Sequence, residues 1–319
     1  MAQLTDVIYS GSLKLPTVEN TASAGNVWFD EVAQRAKYSY LGGAWSTGDA
    51  LITARRSLAG AGTQNAGLAF GGQTPSSILS CTEEYNGTSW SAGGALSTAR
   101  YGLAGAGTQN EGLAFGGSSP SIVSCTEEYD GSTWTAGGAL ITAISYLGGA
   151  GTQNAGLAFG GGTPAIISCT EEYNGSSWSA GGALINVRRI LAGAGTQNAG
   201  LAFGGRTPST VSCTEEYNGS SWSAGGALIT GRESLAGAGT QNAGLAFGGF
   251  APPISRSCTE EYNGSTWSAG GALITQKSLL AGAGTQNAGL AFGGFGSSPT
   301  FSCTEEYNFG MQQSNLGER

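Results

Sequence analysis

Histidine is absent from all 319 residues. That single absence removes several chemistries. A Ser-His-Asp relay cannot be assembled, and the chain offers neither the imidazoles that a copper oxidase site needs nor those of a mixed Cys/His zinc site. Charged residues make up only 11% of the chain. No run of about 18 apolar residues exists for a membrane-spanning helix. The first residues, MAQLTDVIYSGS, lack the basic-then-apolar layout of a signal peptide. The expectation is a soluble chain that is not exported by that route and inserts in no membrane. Six cysteines are present without C-x-x-C spacing, each at the same place in a different repeat. Equivalent places seldom come within the ~7 Å Cα separation that a disulfide requires, so they read as small buried thiols in a reducing compartment. No cofactor or metal is expected.

What the chain has instead is glycine, 57 residues of it, and repetition. Trp45, Trp90, Trp134, Trp178, Trp222 and Trp267 follow one another at intervals of 45, 44, 44, 44 and 45 residues. That period suits a propeller blade. The unit beginning at Ala95, ALSTARYGLAGAGTQNEGLAFGGSSPSIVSCTEEYDGSTW, divides into four short strands, LAGAG, GLAFGG, SIVSCTEEY and STWTAGGAL. Asn-Gly or Asp-Gly before each tryptophan is a strong hairpin signal, because both residues tolerate positive φ. A lone four-stranded sheet of this kind leaves apolar surface exposed, whereas six arranged radially bury it between blades.

Paired glycines after an apolar strand (LAFGG), a following Tyr, a Trp about six residues later and an Arg before the first strand (STARYGL) together resemble the kelch repeat. The resemblance runs over residues 45 to 308 and implies an all-β, six-bladed β-propeller of kelch type, four antiparallel strands per blade, with the LAGAG strands innermost. The last copy, CTEEYNFG from Cys303, stops before its tryptophan, while Trp45 stands ahead of the first full unit. A ring cut inside one blade accounts for both. The segment from Ala44 is therefore expected to complete the blade near 279 to 308. AKYSYLGGAW, from Ala36, keeps the Tyr-to-Trp spacing and competes with the C-terminal copy for the third-strand place; the C-terminal copy is favoured because it keeps the full repeat. The expected divisions are an N-terminal segment 1–43, the propeller 44–308 and a C-terminal tail 309–319.

Within the N-terminal segment, AGNVWFDEVAQRAKYSYLGGAWS resembles a hairpin of bacteriophage tail-fibre and other virion proteins. The resemblance implies an attachment segment that contacts other virion proteins; an irregular strap packed on the propeller is the alternative. Localisation in a virion assembled in the host cytoplasm, in multiple copies, follows from the same resemblance.

The six Glu-Glu pairs hold 12 of the 21 acids. Two neighbouring carboxylates can divide acid and base roles, but a site repeated six times is not the single asymmetric constellation of an enzyme. One Glu per pair is expected to take backbone N–H or Arg partners and the other to face water. DGSTW is similar to a sialidase Asp box only faintly, the glycine-rich AGAGTQNAG precedes a strand rather than a helix, and the Asn-Gly sequons at Asn86, Asn174, Asn218 and Asn263 read as turn chemistry. No enzymatic activity is expected.

Comparing the units with one another isolates two segments that do change. After LAFGG the first varied residue is Gln73, Ser118, Gly162, Arg206, Phe250 and Phe295; before the innermost strand the varied pair is Arg56-Ser57, Tyr101-Gly102, Ser145-Tyr146, Arg189-Ile190, Glu233-Ser234 and Ser278-Leu279. In an up-and-down blade both connections emerge on one face. Nine of the 13 bases fall there against one acid, Glu233, so that face is expected to be positive. Arg55, Arg100, Arg188, Arg232 and Lys277 share one repeat position, which marks them for ion pairs with blade glutamates. Arg56, Tyr101, Tyr146, Arg189, Arg206, Glu233, Phe250 and Phe295 are the candidate ligand-binding residues, and aromatics beside arginine suit a host-surface glycan or another anionic polymer. Nucleic acid is a weaker partner. The alternatives are a purely structural capsid-decoration or tail-nozzle component that contacts only other virion proteins, and a cellular kelch adaptor for a peptide.

Overall fold

The computed structural model describes residues 27–30, 35–296 and 300–315. Among the described residues there are strands and turns and no helix. They fall into two compact units, one from Ala44–Asn308 and one from Met1–Gly43 with Phe309–Arg319.

The larger unit is a six-bladed β-propeller. Its blades open with the strands Ala59–Thr63, Ala104–Gly107, Gly148–Thr152, Ala192–Thr196, Ala236–Thr240 and Ala281–Gly284. Each of these packs against its neighbour on either side, and the last meets the first. The ring is closed. Blade one continues through Ala66–Phe70, Thr82–Tyr85 and Trp90–Gly93 in a simple antiparallel order. The other blades repeat that order, except that blade six is completed by the C-terminal strand Thr304–Asn315 followed by the N-terminal strand Arg35–Gly48. The C-terminal copy therefore supplies the third strand, and the segment from Ala36 forms one continuous strand with Trp45 rather than competing for that place.

The glycines of the innermost strands answer a packing demand. A β-carbon on Gly60 would lie 2.6 Å from Phe292 Cζ and 2.8 Å from the Gly282 carbonyl, so only glycine admits that approach of blades one and six. In the second strand Leu68, Ala69 and Phe70 are all wholly buried, because both faces of the sheet are covered. The core accordingly lies between blades: Ala59, Leu68 and Phe70 of blade one form a cluster with Leu103, Ala114, Tyr129 and Trp134 of blade two.

Polar side chains extend this packing across every interface. The two-residue alternation of TEEY turns Tyr85 toward blade six and Thr82 and Glu84 toward blade two. Thus Trp134 Nε1 donates to Thr82 Oγ1 at 2.9 Å and the Tyr129 hydroxyl donates to Glu84 Oε1 at 2.5 Å. Across the seam Trp90 Nε1 donates to Thr304 Oγ1 at 2.9 Å. The second glutamate of each pair is therefore not simply a solvated group, as expected from sequence; it is the acceptor for the next blade's tyrosine. Burial and then that carboxylate push the Tyr129 hydroxyl up to about 12, which keeps it a proton donor. The first glutamate of blade one faces the other way and takes two backbone N–H groups of the entering connection together with a cation. Glu83 accepts from Ile52 N at 2.7 Å and from Thr53 N at 3.2 Å, and pairs with Arg55 at 3.3 Å.

The third strand of blade two is shorter than the sequence implies. Only Thr126–Tyr129 of SIVSCTEEY joins the main sheet of blade two, while Ser121–Ile122 folds back on Ser118–Ser119 as a separate small hairpin. The cysteines, expected to be buried, are half-buried and free. Five lie against the cation of their blade, as Cys125 does at 3.3 Å from Arg100 Nη1.

In the smaller unit Val27–Asp30 pairs antiparallel with the start of Arg35–Gly48, from Val27 opposite Tyr38 to Asp30 opposite Arg35. Gln312 Nε2 donates to the Gly42 carbonyl at 3.3 Å. The expected N-terminal segment lies outside the described residues over 1–26 and 31–34, as does the tail over 316–319.

Candidate binding face

The two varied segments meet one to one. Arg56 exchanges backbone hydrogen bonds with Gln73 at 3.0 and 2.9 Å, and Tyr101 with Ser118, Ser145 with Gly162, Arg189 with Arg206, Glu233 with Phe250 and Ser278 with Phe295 are bridged in the same way. All 12 of these varied positions therefore stand in a single circle on one face of the propeller.

Inside that circle runs a second one. Gly102 N donates to Ser57 O, Tyr146 N to Gly102 O, Ile190 N to Tyr146 O, Ser234 N to Ile190 O, Leu279 N to Ser234 O and Ser57 N to Leu279 O, all between 2.7 and 2.9 Å. The six hydrogen bonds form a closed loop around the axis. Five of its members are non-glycine residues held at φ between 54° and 57°, a left-handed conformation that costs an L-residue roughly 1–2 kcal/mol and is rarest for a β-branched side chain such as Ile190. The loop supplies the compensating bonds. It bounds an axial cavity of about 80 Å³, walled below by Leu58, Leu103, Leu147, Leu191, Leu235 and Leu280.

The candidate residues divide into three groups around this mouth. Tyr101 and Tyr146 meet edge to face with centroids 6.1 Å apart. The Tyr146 ring runs beside Gly102, where a β-carbon would lie 3.2 Å from its Cδ1. Its hydroxyl is pushed up by burial and by Tyr101, against the opposing pull of Arg56 and Arg189. In the second group Arg206 Nη1 lies 3.5 Å from Glu233 Oε1, with Arg206 45% exposed and Glu233 nearly buried. Burial raises the Glu233 carboxyl above its usual range although Arg206 and Arg189 lower it. In the third, the Arg56 guanidinium stacks 4.9 Å from the Phe295 centroid. Phe250 is half-buried in its bridge to Glu233 and touches no member of the tyrosine group through a ring contact.

The positive character of the face is smaller than the nine bases imply. Arg55, Arg100, Arg188, Arg232 and Lys277 are completely buried in ion pairs with Glu83, Glu127, Glu215, Glu260 and Glu305. Arg56, Arg189, Arg206 and Arg256 remain, and Arg206 is paired with Glu233.

Sequence reasoning missed two sets of residues. The inner loop was hidden because left-handed residues other than glycine leave no sequence mark. The other set is the glutamines of the TQN turns, each of which ties two blades: Gln109 Nε2 donates to Gly67 O at 3.0 Å and Tyr85 O at 2.7 Å. Their signal was retention in all six turns, where any polar residue would serve the turn itself. No family model matches the chain, and no curated protein is similar to it.

Proposed function

We propose that the protein is a non-catalytic binding component of a bacteriophage particle, a kelch-type propeller whose varied face contacts a host-surface polymer. The observation that carries this reading is the circle of bridged, non-repeating residues. Six units that agree almost everywhere else place their differences around one mouth, and a rigid ring keeps those side chains in position with little ordering cost on contact. The paired Gly, Tyr and Trp of each blade support the kelch assignment, and the Val-Trp-Phe-Asp hairpin sequence supports attachment through the N-terminal segment to other virion proteins. Several copies on one particle would combine weak contacts through high effective concentration. A glycan array probed with the intact chain tests the reading. Binding that falls in Tyr101→Ala and Phe250→Ala supports it, and silence across the array counts against it.

A purely structural role in a capsid or tail assembly has one observation in its favour. Ile52, Ile141, Ile185, Ile229 and Ile274 occupy the same position in five connections and are all 58–63% exposed. Such a regular apolar circle fits a sister protein better than a glycan.

A further inference from the structure

The exposed apolar side chains of the propeller are confined to one face. Ile52, Ile141, Ile185, Ile229 and Ile274 stand on the connections that enter blades one, three, four, five and six. Val187 shares the connection into blade four, and Ile254 lies on the small hairpin of blade five, which leaves from the same face. Among the described residues of Ala44–Asn308 no other large apolar side chain is exposed. The circle is held rigidly. Each of the five isoleucines donates its backbone N–H to the buried first glutamate of the blade it enters, Glu83, Glu171, Glu215, Glu260 or Glu305, at 2.6 to 2.8 Å. Blade two has Ser97 in the same place, bonded to Glu127 at 2.7 Å. Together the seven apolar side chains present on the order of 700 Å² of surface, close to the ~800 Å² per partner of a standard protein interface.

A circle that repeats from blade to blade meets in register a surface with the same angular repeat, and a second copy of this chain carries one. A two-fold axis in the plane of the face can lay blade over blade in six registers, and charge separates them. Outside the buried cation–glutamate pairs, the charged side chains of this face stand on blade one with Asp49 and Arg56, blade four with Arg189 and Arg206, and blade five with Glu233 and Arg256; the varied positions of blades two, three and six are uncharged. An axis passing between blades six and one lays blade one on six, two on five and three on four. It is the only one of the six registers that sets every charged blade on an uncharged one. The same register brings Tyr101 over Glu233, since the two occupy one repeat position. Glu233 is buried and its Oε2 has no hydrogen-bond partner among the described residues, so a phenolic donor from across the face supplies what it lacks. Identical blades would leave the six registers equivalent; the varied residues select one.

Resting on the reading of the apolar circle as a protein contact, we propose that this face pairs two copies of the chain in the register that lays blade one on blade six. Ile52 then meets Ile274 of the second copy and Ile141 meets Ile185, each contact made twice by the two-fold symmetry. Ser97 meets Ile229. Pairing covers the varied residues, so a second copy and a host polymer compete for the face.

Sedimentation equilibrium of the intact chain across a wide range of concentration tests this. A dimer is expected, its dissociation constant raised about tenfold or more by Ile141→Ser, which removes an isoleucine contact on each side of the axis, and lowered by Ser97→Ile, which adds one opposite Ile229. A dimer indifferent to both substitutions overturns the proposal by placing the association elsewhere. A monomer at every concentration also overturns it, while leaving the circle to a different protein; glycan binding that falls in Ile141→Ser removes the protein-contact reading itself. Cross-linking reads the register. Under mild oxidation a mixture of Ile141→Cys and Ile185→Cys chains is expected to link, and a mixture of Ile141→Cys and Ile52→Cys chains is not; the reverse result refutes the pairing of blade three with blade four.

Discussion

The Tyr85 hydroxyl donates to Glu306 Oε1 at 2.5 Å, joining the first complete unit to the last across 221 residues of sequence. The same bond recurs inside the ring, from Tyr173 to Glu128 at 2.5 Å and from Tyr262 to Glu216 at 2.6 Å. The seam between blades one and six is thus built like any other interface. Tyr85→Phe should lower stability by about 1 kcal/mol, the scale of one hydrogen bond to a partly solvated carboxylate, and Tyr173→Phe should lower it equally. Urea denaturation of both variants checks this. A much larger loss at Tyr85 would mean that closure has an energetic weight which the interior interfaces lack.

Trp45 makes a stronger demand on the seam strand. It is 8% exposed, its Nε1 donates to Thr259 Oγ1 at 2.9 Å, and its ring meets Phe247 and Tyr307 at 5.0 Å each. Trp45→Ala should cost about 3–5 kcal/mol, the range for emptying a core tryptophan site. Because Trp45 lies on the strand that completes blade six, the loss should appear together with increased amide exchange in Thr304–Asn308, measured by mass spectrometry. Unchanged exchange there would contradict the closing role of the N-terminal strand.

Blade three departs from the others at one buried place. Ile144 stands where blades one, two, four and five carry arginine and blade six lysine, so Glu171 keeps its bonds from Ile141 N at 2.8 Å and Thr142 N at 3.0 Å but has no cation. Burial consequently raises its carboxyl above the usual range, with those backbone bonds pulling the other way. A raised acid binds its proton more tightly folded than unfolded. Stability from this group is therefore greatest below the ordinary carboxylate pKa and declines as pH rises to the raised folded value. Ile144→Arg restores the missing partner. Its stability relative to the parent should increase through that same interval and stay level above it, as followed by denaturant midpoints from pH 4 upward. A difference that does not vary with pH would refute the assignment.

The fold was legible because its causes are local and repeated. Tryptophan spacing, Asn-Gly turns and the truncated copy at Cys303 each constrain blade number or closure, and they agree. The face was half legible. Comparing units found Arg56, Arg189 and Gln73 as varied residues, since adjacent connections in an antiparallel blade must emerge together. It could not show that Arg189 bridges Arg206 or that Tyr146 reaches past Gly102, because both depend on the separation of blades around the axis. The overestimate of positive charge has the same origin. Arg55 and Arg56 are neighbours in sequence, yet one is wholly buried on Glu83 and the other stacks on Phe295.

The missing cation of blade three also reaches its thiol. Five cysteines lie against an arginine or lysine, among them Cys125 at 3.3 Å from Arg100 Nη1, Cys213 at 2.7 Å from Arg188 Nη1 and Cys303 at 3.5 Å from Lys277 Nζ, whereas Cys169 has Ile144 in that place. Burial and then the charge of Glu171 push the Cys169 thiol up to about 11. Only the thiolate is alkylated at an appreciable rate. With iodoacetamide at pH 8, quantified by peptide mapping, Cys169 should react about tenfold or more slowly than a free thiol of ordinary pKa and should be the slowest of the six. Ile144→Arg supplies the cation, so the same variant that steadies Glu171 should bring Cys169 into line with the others. If Cys169 instead leads the series, or the variant leaves its rate unchanged, the neighbouring cation does not govern these thiols, and the contrast between blade three and the rest must come from access alone.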